Sequence, residues 1–298
     1  MGDCSNSPGT IVARVDAVGT PVPVHSLSLR ALIRSAMSDL ARSSNILTDS
    51  RHTYTYPEVR GHLDAILAGL QEHGIRTTDC ITVELTNSLT SALAVLALLD
   101  GEYDLVLTSA KTRKPDITQA DLQPPRFSRW VLRVTDDPSI PRRQARQPSS
   151  YLSLAPNPNY TNAAPPFEDR SPRLYAHTSG SLGTSKFALH THSGIASCAC
   201  RVIERLRLDA SCRIALPIPI FHMYGLRVAF ISCFIAGASI DFQSRANLLS
   251  YLEREEEFGP DVAFMTPTFC EALLRVRKRP RRYRFIVTGG DRLSDGGP

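Results

Sequence analysis

From Arg51 onward, apolar side chains recur along the chain at the spacings of helices and strands. Thr55, Pro57 and Glu58 form a capping box with a proline in the first helical turn, which is typical of a helix start. The apolar residues that follow share one helical face: Val59, Leu63, Ile66, Leu67 and Leu70. We therefore predict an amphipathic helix that ends at Gly74.

Short runs of β-favouring residues alternate with further helical patterns. A strand at 80–85, an apolar helix at 88–99 and a strand at 104–108 form the first strand–helix–strand unit. The remaining predicted strands lie at 130–134, 174–177, 187–190, 213–216, 239–242, 262–265 and 285–288. A second amphipathic helix follows a Ser193 cap and runs to Leu206. This alternation predicts an α/β fold of mostly parallel sheets flanked by helices.

The regularity of these patterns divides the chain into four segments. Residues 1–50 are predicted to form an irregular N-terminal segment, and residues 51–110 a first α/β subdomain. Residues 111–172 hold 11 of the 21 prolines, which predicts an irregular, proline-rich crossover, with a boundary between two domains as the alternative. Residues 173–298 are predicted to form a second α/β subdomain that carries the candidate chemistry and is incomplete at its C-terminal end.

The composition excludes some classes of protein. With 298 residues, of which 42% are hydrophobic, the chain can bury a sizeable core, so a mainly disordered protein is excluded. The net charge of +5 has a local origin, because seven basic residues lie between Arg275 and Arg284. Pro280 interrupts that run, and no pattern of base-stacking aromatic residues accompanies it. We expect a solvated helix end there and no nucleic-acid partner.

The cysteines and the apolar runs indicate the compartment. The seven cysteines are an odd number, and none lies in a CxxC pair or at zinc-finger spacing from a histidine, so we expect reduced thiols and no metal site. The N-terminus lacks the charged and apolar regions of a signal peptide. The longest apolar stretch, 228–240, is too short to cross a bilayer. We predict a cytoplasmic protein without a membrane partner.

The clearest candidate chemistry lies in a loop between two predicted strands, within residues 174–192. Glycines in this loop let backbone N–H groups approach an anion, hydroxyl groups add donors, and Lys186 supplies a compensating charge. The candidate phosphate-binding residues are Thr178, Ser179, Gly180, Ser181, Gly183, Thr184 and Lys186. A solvated hairpin turn is the alternative. A Walker loop is excluded, because two residues separate Gly183 from Lys186 and a strand follows where that motif has a helix.

Four stretches, in order along the chain, resemble the adenylate-forming enzymes, a family that includes acyl-CoA synthetases and peptide-synthetase adenylation domains. The loop from His177 to Lys186, followed by an apolar strand and a Thr-His pair, is similar to the signature of that family. Leu182 stands where the family has a hydroxyl residue, and Ser185 where it has proline. The other stretches are 54–87, 219–225, and 262–291 with its two strands. Together they cover most of the chain from Arg51 to its end.

The resemblance implies an enzyme that activates a carboxylic or amino acid with ATP to an acyl-adenylate. The enzyme then passes the acyl group to a thiol, either of CoA or of a carrier protein's phosphopantetheine. Contact with phosphopantetheine or a carrier protein is therefore an alternative for the basic run 275–284. The loop would hold the β- and γ-phosphates, with Mg²⁺ bridging. A pocket for the acyl group and pantetheine is implied at His222, Tyr224, Gly225, Gly289 and Gly290. His222 would line the pocket without transferring a proton, and a structural, hydrogen-bonded histidine is the alternative.

The resemblance covers only the first part of such an enzyme. In the family, a magnesium-binding acid, a ribose-binding aspartate and an adenylation lysine follow the strand that ends in two glycines, and Pro298 precedes the position of all three. We therefore expect the carboxylate ligand of Mg²⁺ on a C-terminal domain or partner chain, and no turnover by these residues alone. Catalytic residues are left unassigned. The alternative is a non-catalytic truncated relative that serves as a binding module, or the product of an interrupted gene. The acid and the thiol acceptor stay open.

Overall fold

The computed structural model describes residues 28–38, 44–110, 123–135, 148–161, 171–178, 186–243 and 247–290. The α-helices in these ranges are α1 Leu29–Ser38, α2 Tyr56–Glu72, α3 Leu89–Asp100, α4 His192–Leu206, α5 Ser232–Ala236, α6 Leu248–Phe258 and α7 Pro267–Val276. A π-helix, Tyr224–Ile231, runs directly into α5, and a 3₁₀ turn, Pro148–Tyr151, precedes a strand. The strands are β1 Ile46–Thr48, β2 Thr53–Thr55, β3 Cys80–Leu85, β4 Asp104–Ser109, β5 Trp130–Val134, β6 Leu152–Pro156, β7 Arg173–Thr178, β8 Lys186–Thr191, β9 Arg213–Leu216, β10 Ser239–Phe242, β11 Val262–Met265 and β12 Phe285–Thr288.

These strands form two sheets of six strands each. The first sheet has the order β6-β5-β3-β4-β7-β8, and the second has the order β12-β11-β9-β10-β1-β2. Three strand pairs are antiparallel, namely β1–β2, β5–β6 and β7–β8, and the other seven are parallel. The predicted α/β fold of mostly parallel sheets flanked by helices is therefore confirmed.

One large core contains residues from both sheets. Alternate side chains of a strand point to the same face, so Ile81 and Val83 of β3 and Val262 and Phe264 of β11 enter this core. Helices α1 to α5 all contribute buried residues to it. Every residue of α3 is buried, which explains why its sequence is apolar on all sides.

The outer face of the second sheet has a smaller core of its own. Ala263 and Met265 of β11 point to this face and pack with Tyr251 of α6 and Leu273 of α7. The second sheet is therefore covered by helices on both faces.

Local sequence sets the ends of α2 as predicted. The Glu58 carboxylate accepts a hydrogen bond from the backbone N–H of Thr55 at 2.7 Å, which completes the capping box. Gly74 follows the helix with a φ of +70°, a conformation that favours glycine.

The predicted cap of α4 is wrong. The hydroxyl group of Thr191, not that of Ser193, accepts the hydrogen bond from the Gly194 N–H at 3.1 Å. Because β8 ends at Thr191 and α4 begins at the next residue, no linker separates them, and Ser193 already lies inside the helix.

Several short elements were not predicted from the sequence. Helix α1 and strand β1 lie in the segment predicted to be irregular, β2 directly precedes α2, and β6 lies in the proline-rich crossover. Strand β1 has three residues and depends on pairing with β10, which lies far away in sequence. Helix α1 has ten residues and is held through buried Ile33 and Met37. Patterns this short carry little local signal, since tertiary contacts stabilise them.

The two sheets exchange segments of the chain. The hairpin β1–β2 joins the second sheet although it precedes every strand of the first sheet, and β7–β8 joins the first sheet although it follows the crossover. Neither sheet is built from one predicted segment alone. The division into subdomains stays a prediction.

Three further observations concern only the described part of the chain. Six of the seven cysteines lie in it, and none of the six forms a disulfide. Within the same ranges, no group of three or more His, Cys, Asp or Glu side chains could hold a metal ion. The helices of these ranges are each too short or too polar to cross a membrane.

Candidate functional site

The carboxyl ends of strands from both sheets meet at Asn87. This buried residue follows β3 of the first sheet, and its Nδ2 donates to the carbonyl oxygen of Leu216 at the end of β9 at 3.3 Å. The same nitrogen donates to the carbonyl oxygen of Gln243, just after β10, at 3.1 Å. Ligands of parallel α/β sheets bind at the carboxyl edge, so Asn87 joins the two edges where a site is expected.

Asp49 ties the same edges together a second time. Its buried Oδ1 accepts from the N–H groups of Arg51 and His52, each at 2.7 Å. Its Oδ2 accepts from the N–H of Leu89 at 3.0 Å. The carboxylate thus joins the β1–β2 turn of the second sheet to the N-terminus of α3, where the helix dipole favours a negative charge.

Asp241 and Gln243 extend this polar junction. Gln243 donates to Asp241 at 3.2 Å, and Arg254 also pairs with Asp241. Burial raises the pKa of Asp241 to about 6, and the bonds from Arg254 and Gln243 oppose that shift. Asp49, Asp241 and Gln243 were not predicted as site residues from the sequence. A signal was available, because each is a polar residue in or just after a buried strand.

The candidate phosphate loop leaves the first sheet at its carboxyl edge. Strand β7 pairs in parallel with β4 and antiparallel with β8, where Thr178 lies opposite Lys186. Residues 179–185 therefore connect two neighbouring strand ends, an arrangement that a phosphate loop and a solvated turn would share. Ser179, Gly180, Ser181, Gly183 and Thr184 lie outside the described residues. The phosphate site stays a prediction.

Tyr224 and Gly289, two of the predicted pocket residues, lie against each other. A Cβ atom at Gly289 would lie 3.0 to 3.3 Å from atoms of the Tyr224 ring, so a larger residue there would require the ring to shift by a few tenths of an ångström. The Tyr224 hydroxyl group donates to the carbonyl oxygen of Val287 in β12 at 2.8 Å. Tyr224 therefore fixes the start of the π-helix to the carboxyl end of β12.

Gly225 allows a second close approach. A Cβ atom there would lie 2.2 Å from the carbonyl oxygen of Pro219, which is backbone and cannot swing away. The π-helix that begins at Tyr224 can therefore pack directly on the turn at 219–222. The structure thus brings three of the five predicted pocket residues together.

His222 and Gly290 make fewer contacts. The His222 ring packs on Phe221 with centroids 4.6 Å apart, and the residue is exposed. Partial burial of the ring favours its neutral form and lowers the pKa of His222. Gly290 has a φ of +93°, which favours glycine. The pocket roles of all five residues stay predictions.

The π-helix itself was not predicted from the sequence. Residues 224–236 are apolar on nearly all sides, so their spacing does not distinguish one type of helix from another. π-helical turns are rare in proteins, and those that do occur are often found at functional sites. The π-helix begins with Tyr224 and Gly225, which agrees with a candidate pocket there.

We expect Tyr224→Phe to lower the free energy of unfolding by about 1 kcal/mol, because the Val287 carbonyl group loses its hydrogen-bond donor. Urea denaturation measures the change. Tyr103→Phe is the matched control, since the Tyr103 hydroxyl group forms no hydrogen bond with a residue in the ranges described above. Equal changes in stability in the two variants would show that the hydrogen bond between Tyr224 and Val287 of β12 does not stabilise the protein.

The sequence profile of the AMP-binding enzyme family matches residues 39–296. This chain belongs to the AMP-binding enzyme family. The predicted resemblance to adenylate-forming enzymes is therefore confirmed.

Individual relatives agree with this assignment. The chain is 22% identical over 265 residues to CCL5, a probable CoA ligase of Humulus lupulus, and the match covers 82% of this chain and 48% of that ligase. This chain thus spans about half of the ligase.

Solved structures show the same fold. The inhibitor-bound N-terminal domain of FACL13 from Mycobacterium tuberculosis has a TM-score of 0.69 at 17% identity, with 90% of this chain and 71% of that chain covered. ATP-bound MatB from Rhodopseudomonas palustris has a TM-score of 0.64 at 18% identity, with 90% of this chain and 56% of that chain covered. At these identities the likeness establishes the fold alone.

Proposed function

We propose that this chain binds ATP and a carboxylic acid, as the N-terminal part of an enzyme that forms an acyl-adenylate and passes the acyl group to a thiol. In the first step, a carboxylate oxygen bonds to the α-phosphorus of ATP and the bond to pyrophosphate breaks. In the second step, the thiol sulfur bonds to the acyl carbon, and AMP and the thiol proton leave. The protein positions the reactants and stabilises the developing charge.

The observation that carries the proposal is the common edge of the two sheets. The candidate loop follows β7 of the first sheet, Gly289 follows β12 of the second, and Asn87 joins the carboxyl edges of both. Crevices at such edges are the usual ligand sites of parallel sheets. Membership in the AMP-binding family and the ATP-bound structure of MatB support ATP as the nucleotide.

In this proposal, the loop holds the phosphates of ATP. Hydroxyl groups such as those of Thr178 and Ser181 donate to phosphate oxygens, and glycines let backbone N–H groups approach them. Lys186 offsets the negative charge of the β- and γ-phosphates. Each of these interactions is stronger in a site that excludes water.

The acyl group and the pantetheine thiol would occupy the pocket at the other sheet. Tyr224, Gly225 and Gly289 would form its packed base, since their contacts fix the π-helix to β12. His222, whose pKa is lowered by partial burial, would line the entrance and orient the acyl group without transferring a proton. Gly290 would bring its backbone close to the nucleotide or the acyl group.

The remaining parts of the proposal rest on the family alone. We propose Mg²⁺ as the ion that bridges the phosphates and a C-terminal domain or partner chain as the source of its carboxylate ligand. CoA or a carrier protein's phosphopantetheine is the proposed acceptor, in the cytoplasm. We also propose that these 298 residues alone do not exchange labelled pyrophosphate into ATP.

Calorimetric titration with ATP and Mg²⁺ tests nucleotide binding, which needs no turnover. We expect saturable binding by the native chain and about tenfold weaker binding by Gly183→Val, a loss of about 1.4 kcal/mol. The reason is that a β-branched side chain keeps the backbone N–H groups away from phosphate. Leu182→Ser should bind ATP as well as the native chain or better, because it restores a hydroxyl group.

Gly69→Val, in α2, is the control for general effects of replacing glycine by valine. It should leave the ATP affinity unchanged as long as the protein remains folded. Equal affinities for Gly183→Val and Leu182→Ser would contradict the backbone contact with phosphate. Absence of any ATP binding by the folded native chain would contradict the proposed function.

A further inference from the structure

Helices α6 and α7 lie side by side on the outer face of the second sheet. The rings of Tyr251 in α6 and Phe269 in α7 have centroids 5.3 Å apart. Both helices pack on the same side of β11, where they form the smaller core. Their solvent-facing surfaces are therefore neighbours on one patch of the protein.

The part of this patch on α6 is acidic. Its exposed side chains recur at helical spacing and form the acidic strip: Leu249, Glu253, Glu256 and Glu257. Glu257 pairs with Arg254 at 3.3 Å. Glu253 and Glu256 form no ion pair with any residue in the described ranges. The strip therefore keeps two unpaired negative charges.

The part of the patch at the end of α7 is basic. Four exposed cations form the basic strip: Arg275, Lys278, Arg279 and Arg282. Two other members of the same run are anchored to the domain, since Arg277 pairs with Glu255 at 2.7 Å and Arg284 donates to the carbonyl oxygen of Arg207 at 2.8 Å. These anchors hold the segment in place while the strip itself has no ion-pair partner among the described residues.

Large exposed apolar side chains lie within the acidic strip and beside the basic strip. Leu249 on α6 is 69% exposed, and Leu274 and Val276 at the end of α7 are 68% and 45% exposed. Apolar side chains next to charges are typical of protein interfaces, in which a buried apolar centre is surrounded by a polar rim.

We propose that this patch is a two-fold interface between two copies of the chain, in which α6 of each copy faces the end of α7 of the other. In a two-fold interface, the same patch contacts itself on the partner. Because the acidic and basic strips are neighbours, the acidic strip of one copy can face the basic strip of the other, and the reverse, within the same interface. We call these the crossed contacts. A nucleic acid, an anionic membrane or an acidic protein would instead bring negative charges toward Glu253 and Glu256. Charge complementarity therefore favours a second copy.

Sedimentation velocity of the full 298-residue chain tests this interface. We expect a dimer at about 50 mM salt that dissociates near 1 M salt, where screening reduces the range of charge interactions to about 3 Å. The variant Lys278→Glu/Arg279→Glu and the variant Glu253→Lys/Glu256→Lys should each dissociate about 100-fold more readily than the native dimer, because their crossed strips repel.

An equimolar mixture of the two variants gives the decisive result. Each crossed contact in the mixed pair again joins opposite charges, so the mixture should form a dimer with a dissociation constant within about tenfold of the native value. Arg60→Glu/Arg76→Glu, which changes two exposed cations around α2, is the matched control and should sediment like the native chain. Recovery of the dimer in the mixture also shows that both variants are folded.

Three results would overturn the proposal. One is a native chain that stays monomeric at low salt, with or without binding to duplex DNA or anionic vesicles. Another is a dimer that both variants retain, which would point to a different surface such as the outer edge of β12, unpaired among the described strands. The third is a mixture that stays monomeric although each variant melts cooperatively.

Discussion

Gly225→Ala should lower the free energy of unfolding by about 3 kcal/mol, at the upper end of the usual cost of overpacking a core. The added Cβ atom would lie 2.2 Å from the carbonyl oxygen of Pro219 and 2.9 Å from its carbonyl carbon. Both are backbone atoms, so the turn at 219–222 must move as a unit. The carbonyl oxygen of His222, in this turn, accepts a hydrogen bond from the N–H of Leu226 at 2.8 Å. Displacement of the turn therefore also weakens the start of the π-helix.

Gly69→Ala is the control, and we expect it to stabilise the protein. Gly69 lies inside α2, and nothing lies within 4 Å of a Cβ atom built there. Alanine should therefore stabilise the helix by about 0.5 to 1 kcal/mol through its higher helix propensity. Urea denaturation of both variants measures the difference. If Gly225→Ala were as stable as Gly69→Ala, the close approach of the π-helix to the turn would be wrong.

The elements that could be predicted from sequence are those whose own residues determine them. Strand β3 lies at 80–85 and α2 ends before Gly74, as their apolar periods and capping residues predict. Strand β1 could not be predicted, because it has three residues and lies between the neighbouring strand β2 and β10, which is far away in sequence. The exchange of hairpins between the sheets is likewise invisible in local periodicity, since it depends on contacts between residues far apart in sequence.

The candidate site divides in the same way. The resemblance to a family placed Tyr224, Gly225 and Gly289 in one pocket, and the structure gives physical reasons for both glycines in their contacts with Tyr224 and Pro219. Asn87 entered the sequence analysis only as part of the matched stretch. Its role in joining the two sheets depends on where β9 and β10 end in space, next to Leu216 and Gln243, and no local pattern carries that information.

Glu255→Leu should lower the free energy of unfolding by about 3 to 5 kcal/mol, the usual cost of leaving one partner of a buried ion pair alone. The Glu255 side chain is 4% exposed and that of Arg277 is 12% exposed. Arg277 donates to both carboxylate oxygens, at 2.8 and 2.7 Å, and the Tyr283 hydroxyl group donates to one of them. Removing the carboxylate leaves the guanidinium group without these two acceptors in a site largely closed to water, and the Tyr283 hydroxyl group keeps its hydrogen bond with the Tyr251 hydroxyl group at 2.7 Å.

The double variant Glu255→Leu/Arg277→Met separates the net contribution of the ion pair to stability from the destabilisation caused by leaving one charge unpaired. Because both charges are then removed together, it should be more stable than Glu255→Leu alone, by at least about 1 kcal/mol. Glu102→Ala is the exposed control: its partner Arg30 lies at 3.3 Å, and both side chains are nearly half exposed, so the loss should stay below about 1 kcal/mol. Urea denaturation of all three variants gives the comparison. A Glu255→Leu variant no less stable than Glu102→Ala would show that Arg277 finds water or another acceptor, and that the pair does not hold the basic segment against α6.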